Sequence, residues 1–308
     1  MAADAAAAGR TGEAIERQAE TRRRWALAAP SIGVIFLFSL VPLVVMLVYS
    51  FLEAGQYGGV ILEPSLEGWT SVVVERDLFD DTLQPAIANL TILGRSVGLA
   101  FATTALTMVF GIPTAWFIAT RPPNSRSIWM FLITVPFWTN LLVRTIAIQE
   151  VIRADGTLNR LLLGAGLIDA PLQIMFTNTA VLIGMTYVYL PLMVLPVYAA
   201  IERFDFRLAE AAYDLHASRL YCLRRVVLPL MAPGVVAGAI LVFVPALGEY
   251  VIPRLMGGGA AMMWGNLIEL QFGQGRNWPL GAALSIALTA LVLVALIFYA
   301  RGASQEDQ

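Results

Sequence analysis

The stretch that decides the fold is RFDFRLAEAAYDLHASRLYCLRRVVLP, residues 203–229, a charged and helix-prone connection between two long apolar runs. One apolar run ends near Ala200 and the next begins near Leu230. The connection holds five arginines: Arg203, Arg207, Arg219, Arg224 and Arg225. Because basic residues concentrate in the short cytoplasmic connections of membrane proteins, this pattern predicts that the connection lies on the inner side.

The composition is that of a chain that crosses a membrane several times. The 308 residues are 58% hydrophobic and 14% charged, with a mean hydropathy of +0.72, which is too apolar for an ordinary soluble domain. Several apolar runs reach about 20 residues, the length that a helix needs to cross a bilayer. The run that begins at Trp25 is longer than the core of a signal peptide, so we expect it to stay as a first membrane helix.

We predict an all-α, polytopic membrane protein with about six transmembrane helices and both termini cytoplasmic. The predicted helices cover residues 25–51, 89–120, 127–149, 179–200, 231–256 and 280–300. The predicted divisions are an inner tail at 1–24, a transmembrane domain at 25–301 with an outer loop at 53–85 and an inner loop at 201–229, and an inner tail at 302–308. Most arginines fall in the segments that this arrangement places inside, which supports the orientation.

The predicted outer loop is strongly acidic. Against Arg76 it carries Glu53, Glu63, Glu67, Glu75, Asp77, Asp80 and Asp81. Two interpretations stay open: a surface that docks a partner or attracts cations, or an ordinary solvated loop.

The inner loop carries a spaced motif. Glu210-Ala211-Ala212 is followed after three residues by His216, and Val226 and Leu228-Pro229 follow after nine more. This pattern resembles the EAA motif of binding-protein-dependent ABC importer permeases, in which Gly stands at the position of His216 and Ile at that of Val226. The resemblance implies the type I importer permease fold, and we call residues 201–229 the coupling region.

The resemblance extends over most of the chain after about Asn89. PFWTN at 136–140, residues 178–196, PALGEYVIP at 245–253 and RNWPLG at 276–281 look like the spermidine/putrescine subgroup of these permeases. It implies a polyamine importer in the bacterial inner membrane. The implied partners are a cytosolic ABC ATPase dimer, a second permease subunit in a heterodimer, a periplasmic substrate-binding protein and membrane lipid. ATP and Mg²⁺ are expected on the ATPase, with no cofactor on this chain.

By resemblance, the coupling region passes motion from the ATPase to the membrane helices. The residues assigned to that contact are Glu210, Ala211, Ala212, Tyr213, Asp214, His216 and Ala217. An Ala-rich helix is narrow enough to enter a groove on a partner, and Glu210 and Asp214 share one face at a spacing of i, i+4. At the family's glycine position, His216 has either to adopt a positive φ or to turn the chain differently.

A second candidate site is the translocation path along the fifth helix. An ionisable group inside a membrane should face a cavity or a partner, so Glu249 either pairs with Arg144 as a structural bridge or faces the path and attracts a cationic substrate. Tyr250 has a ring that can bind an ammonium group. Weaker candidates are Trp138, Asn140, Tyr187 and Tyr189, because aromatic residues near the ends of spans usually anchor the interface.

Several other functions find no support in the sequence. It has no lysine and therefore no phosphate-binding Gly-rich loop that ends in Lys, and its single histidine and single cysteine, His216 and Cys222, make no convincing zinc site. We assign no catalytic residue and no metal, and nucleic-acid binding is not expected because the arginines form no single stripe. Two rivals stay open: an ABC permease for ferric iron, sulfate or an opine, and an ion-coupled secondary transporter.

Overall fold

The computed structural model describes residues 2–76, 83–205 and 207–306, so Asp77, Asp80 and Asp81 of the acidic loop lie outside the described residues. The chain is 76% helical, which confirms the predicted all-α class. The α-helices of the described residues are α1 Ala2–Tyr49, α2 Glu67–Val73, α3 Ile87–Ala119, α4 Pro123–Thr134, α5 Leu141–Ile152, α6 Thr157–Gly164, α7 Asn178–Glu202, α8 Arg207–Asp214, α9 Arg219–Cys222, α10 Leu228–Leu247, α11 Trp264–Phe272 and α12 Trp278–Glu306.

Two small hairpins and α2 occupy the loop predicted at 53–85. The strands are β1 Leu52–Ala54, β2 Val60–Pro64, β3 Val74–Arg76 and β4 Leu83–Pro85. β1 pairs antiparallel with β2, and β3 pairs antiparallel with β4. Gly68 of α2 lies so close to the start of α12 that an added Cβ would meet the Pro279 carbonyl oxygen at 3.0 Å. The loop is therefore folded back on the helix bundle.

Within the described part of the chain, five helices are long and apolar enough to cross a membrane. Their spans are Leu27–Tyr49, Ile87–Ala119, Asn178–Glu202, Leu223–Leu247 and Trp278–Ile297. The expected sixth span is a pair of helices bent by 100°, Pro123–Trp138 and Leu141–Gly164. This count agrees with the predicted number of about six, while the orientation of the two termini and the domain boundaries stay predictions.

The predicted continuous third helix at 127–149 is wrong, because the chain breaks between α4 and α5. A 3₁₀ turn at Val135–Trp138 follows α4, and Thr139 is extended. The side chain of Asn140 then caps α5 by accepting the Leu142 backbone N–H at 2.8 Å. Pro136 in the 3₁₀ turn has no backbone N–H to continue the helical ladder, and the cap of Asn140 starts a new helix at an angle.

The core lies where α3, α7 and α10 cross. Met193 of α7 is fully buried there, and a Cβ added at Gly111 of α3 would lie 2.8 Å from its Cγ. A Cβ at Gly238 of α10 would lie 2.8 Å from the Met193 sulfur. Small residues let membrane helices approach closely, so Met193 locks the three helices together. α3 is therefore central in the bundle, although Gly94 and Gly98 face open space.

The predicted fifth helix at 231–256 is wrong at both ends. A π-helical turn, Leu223–Val227, runs without interruption into α10, so Pro229 lies within a continuous helical segment. Proline has no N–H to donate to the preceding turn, and that turn is π-helical where it meets Pro229. α10 then ends at Leu247, and Gly248, Glu249 and Tyr250 lie outside it.

Candidate functional site: the coupling region and the Glu249 break

α8 is a short, well-capped helix at the centre of the coupling region. It starts behind Asp205, whose carboxylate oxygen accepts the Arg207 backbone N–H at 3.0 Å. At its other end the His216 N–H donates to the Tyr213 carbonyl at 2.9 Å, and the Ala217 N–H donates to the Ala212 carbonyl at 3.0 Å. These two bonds form a Schellman motif, which satisfies carbonyl groups that the helix end would otherwise leave free.

His216 occupies the left-handed position of that motif, with φ of 61°. Of the two routes open to a histidine at the family's glycine position, the chain takes the positive φ. A residue with a Cβ in this conformation costs about 1–2 kcal/mol relative to the right-handed one. The turn between α8 and α9 therefore lowers the stability of the fold relative to the same turn with glycine at this position.

The outer face of α8 is exposed and partly apolar. Ala209 points inwards and is buried, whereas Glu210, Ala211, Tyr213 and Asp214 are exposed. Leu215, directly after the helix, is 83% exposed. An exposed leucine beside an exposed tyrosine at the polar end of a membrane protein is unusual unless another molecule covers it. The geometry suits a protein partner whose groove takes a narrow helix.

The opposite end of α10 carries a second interruption, the Glu249 break, residues 248–250. Glu249 is only 6% exposed. One of its carboxylate oxygens accepts the backbone N–H groups of Tyr250 at 3.1 Å, Val251 at 2.8 Å and Ile252 at 3.3 Å. The other accepts the hydroxyl of Tyr189 from α7. The carboxylate thus caps the next helical turn and ties it to α7.

Asn266 of α11 completes the Glu249 break from the other side. Its side-chain amide donates to the Tyr250 carbonyl at 2.7 Å, and its side-chain oxygen accepts the Met263 N–H at 3.1 Å. The α11 backbone also comes close, because a Cβ added at Gly265 would lie 2.5 Å from the Gly248 carbonyl oxygen. Sequence reasoning missed Asn266, since nothing local marks it as the partner of a residue 16 positions away.

The predicted alternative of an ion pair between Glu249 and Arg144 is not what the structure shows. Neither carboxylate oxygen of Glu249 bonds to Arg144, and the Arg144 Nε and Nη1 atoms are buried without a hydrogen-bond partner. The Arg144 guanidinium instead lies 5.7 Å from the centre of the Phe137 ring, within the range of a cation–π contact. Arg144 is therefore held at the break between α4 and α5.

The other predicted path residues are spread over the bundle. Trp138 is 83% exposed at the α4–α5 break, next to the capping Asn140. Tyr187 lines a cavity of about 680 Å³ between α3, α4 and α7. Tyr250 keeps an exposed ring beside Glu249. Among the described residues, no hydrogen bond or ion pair joins Trp138, Asn140 or Tyr187 to Glu249, so only Tyr189, Glu249 and Tyr250 meet directly.

The sequence profile of the family described as binding-protein-dependent transport system inner membrane component matches residues 100–303. The chain is 39% identical over 270 residues to the spermidine/putrescine transport system permease protein PotB of Escherichia coli, with 88% of this chain and 94% of that one covered. It is 36% identical over 264 residues to PotB of Haemophilus influenzae, with 86% and 88% covered.

Among solved structures, the chain resembles a bacterial ABC transporter involved in the import of the acidic polysaccharide alginate. The TM-score is 0.66 at 15% identity, with 94% of this chain and 99% of that one covered, which shows a shared fold. The relatives are permease subunits of the inner membrane and not enzymes. The chain therefore belongs to the family of binding-protein-dependent transport system inner membrane components, the permeases of ABC importers.

Proposed function

We propose that this permease imports polyamines such as spermidine and putrescine. The observation that carries the substrate class is the identity of 39% to PotB over 88% of the chain. The sulfate transport permease CysT of Salmonella typhimurium is only 25% identical over 65% of the chain, so sulfate is the less favoured cargo. A second permease subunit, in a heterodimer, and a periplasmic substrate-binding protein are the partners that such an importer needs.

The proposed contact with a cytosolic ATPase is the coupling region, through α8 and the turn at His216. Its support is the exposed apolar pair of Tyr213 and Leu215 at the end of the capped helix α8. After the turn at His216, α9 and the π-helical turn run into α10 without interruption. The exposed Glu210 and Asp214 add charges at the rim of the same face. A rigid helix fixed at both ends passes a push on its surface to the membrane helices behind it. ATP and Mg²⁺ bind to the ATPase in this scheme.

The proposed path uses aromatic rings more than charges. Trp138, Tyr187 and Tyr250 all leave ring surface accessible, and an aromatic face attracts an ammonium group without the desolvation that a buried ion pair demands. Glu249 is engaged by four donors, so we propose that it and Tyr189 shape the wall of the path. Asn140 and Arg144 hold the break in the neighbouring wall.

The substrate is tested by uptake into proteoliposomes that hold the complete transporter with its binding protein. Labelled spermidine and putrescine should enter in the presence of ATP, and sulfate and ferric iron should not compete. Omitting the ATPase should abolish uptake, whereas an ion-coupled secondary transporter would continue to work on an ion gradient. Uptake of sulfate or iron in place of polyamines would overturn the substrate, and uptake without the ATPase would overturn the class.

The coupling role is tested by Glu210→Arg. Bringing like charges together at a protein interface typically costs several kcal/mol, so an arginine facing the basic side of the partner should lower uptake by about 10-fold or more while the protein still inserts. The matched control is Glu63→Arg, the same change at an exposed residue of β2, and it should leave co-purification of the ATPase unchanged. Normal uptake and normal ATPase co-purification with Glu210→Arg would count against the proposed contact.

A further inference from the structure

The ends of α3, α4 and α7 nearest the coupling region meet in a polar cluster. Arg126 of α4 forms an ion pair with Glu202 of α7, with 3.5 Å between Nη1 and Oε1. The same Glu202 oxygen accepts the hydroxyl of Tyr198 at 3.1 Å. Glu202 is the last residue of α7 and directly precedes the arginine-rich connection, so the cluster sits at the entrance to the coupling region.

Arg126 also completes the end of α3. Its Nη2 donates to the Ala119 carbonyl at 2.8 Å and reaches the Arg121 carbonyl at 3.4 Å. The Ala119 carbonyl would normally accept the N–H of residue 123, but that residue is proline and has none. The Arg126 side chain supplies the missing donor, so one guanidinium fixes three helix ends relative to one another.

Helix stability does not explain this placement of charges. A cation in the first turn of a helix and an anion in the last turn both oppose the helix dipole, and Arg126 and Glu202 occupy those two positions. Their side chains are 30% and 52% exposed, and ion pairs with that much access to water contribute little to folding. The contact therefore fixes geometry more than it stabilises the fold.

We propose that Arg126 is a positioning residue that joins the coupling region to α4, and that this contact sets how much transport results from each ATP hydrolysed. The inference rests on the proposed ATPase contact. α4 leads into the break at 136–140, and its Trp129 lines the same cavity as Tyr187. A displacement of α8 moves the end of α7. The ion pair between Glu202 and Arg126 then moves α4, which forms one wall of the cavity.

The test compares ATP hydrolysis and uptake in the complete transporter in proteoliposomes. Arg126→Gln and Glu202→Gln should keep wild-type hydrolysis but lower the uptake per ATP by about 5-fold or more, the lower bound of typical coupling between sites. The charge-exchanged double variant, Arg126→Glu with Glu202→Arg, restores the ion pair and places each charge at the helix end that favours it. It does not restore the donor to the Ala119 carbonyl, because an ionised carboxylate cannot donate. We therefore expect it to recover part of the uptake per ATP that each of its single-site changes loses.

The matched control is Arg153→Gln, which breaks the ion pairs of another partly exposed arginine, 2.9 Å from Glu150 and 2.8 Å from Asp155, beyond the far end of α5. This control should leave the uptake per ATP hydrolysed unchanged. A merely structural role for Arg126 would lower hydrolysis, uptake and the yield of complex together, and that result, or an unchanged ratio, would overturn the proposal. If Glu210→Arg were harmless, the ATPase contact itself would fail; if it blocked transport and Arg126→Gln did not, only the positioning role would fail.

Discussion

The coupling region and the Glu249 break lie at opposite ends of α10. They differ in which groups are buried and which are exposed to solvent. At the Glu249 break, a buried carboxylate accepts four donors, and the Asn266 amide donates to the Tyr250 carbonyl. In the coupling region, Tyr213 and Leu215 are exposed and His216 holds a strained φ. A satisfied, buried interruption belongs to the fold of one chain, whereas an exposed, strained one is suited to contact with another molecule.

The largest effect expected from this difference is that of Glu249→Ala. It leaves the Tyr189 hydroxyl and three backbone N–H groups without an acceptor. Each buried donor left unsatisfied typically costs about 1–3 kcal/mol, so we expect a loss of at least about 3 kcal/mol. The change in free energy of unfolding is measured by thermal unfolding in detergent. Glu210→Ala in the coupling region is the matched control and should change stability by less than about 0.5 kcal/mol. If the two variants were equally stable, the Glu249 break would contribute no more to the fold than the exposed face of the coupling region.

The sequence predicted one of these regions far better than the other. Local spacing marks the coupling region, because five arginines, the Ala-rich helix and Pro229 lie within one short connection. The Glu249 break has no such local signal. Membrane helices tolerate proline and glycine, so Pro245 and Gly248 do not by themselves indicate a helix end. The side chain that binds Glu249, Tyr189, lies 60 residues away on α7.

The same reason explains the wrong third helix. Pro136 and Asn140 are both compatible with a continuous span, and only the 100° bend between α4 and α5 shows that Asn140 starts a new helix. Nothing local marks Arg126 either, because its role depends on Glu202 and on the Ala119 carbonyl, which Pro123 leaves free. Long apolar runs are visible in a sequence, but the partners of single polar groups are tertiary facts.

A smaller effect is expected of Gly265→Ala, which tests how tightly the Glu249 break is packed. The added Cβ would lie 2.5 Å from the Gly248 carbonyl oxygen and 2.9 Å from that of Glu249. Both neighbours are backbone atoms that cannot rotate away, so we expect a loss of about 1–3 kcal/mol, as for other overpacked sites. Gly259→Ala is the control, because a Cβ there meets nothing within 4 Å. If Gly265→Ala did not lower the stability, the backbone of the Glu249 break would be able to move apart to make room for the added Cβ.

The smallest effect has the opposite sign and belongs to the coupling region. His216→Gly removes the Cβ from the left-handed position and should relieve about 1–2 kcal/mol of strain. Part of that gain is returned because glycine gives the unfolded chain more freedom, by about 0.4–1 kcal/mol, so the net stabilisation should lie between about 0 and 1.6 kcal/mol. Thermal unfolding of the two proteins in the same detergent measures it.

His216→Ala separates the backbone from the side chain, since alanine keeps the Cβ and therefore the strain. If both substitutions stabilise the protein equally, the imidazole and not the positive φ is the source of the effect. If glycine alone stabilises it, the Schellman turn is strained as the φ of 61° indicates. The coupling region would then contain a local loss of stability that the Glu249 break, with its satisfied carboxylate, does not have, and a partner that grips α8 would hold the turn in place.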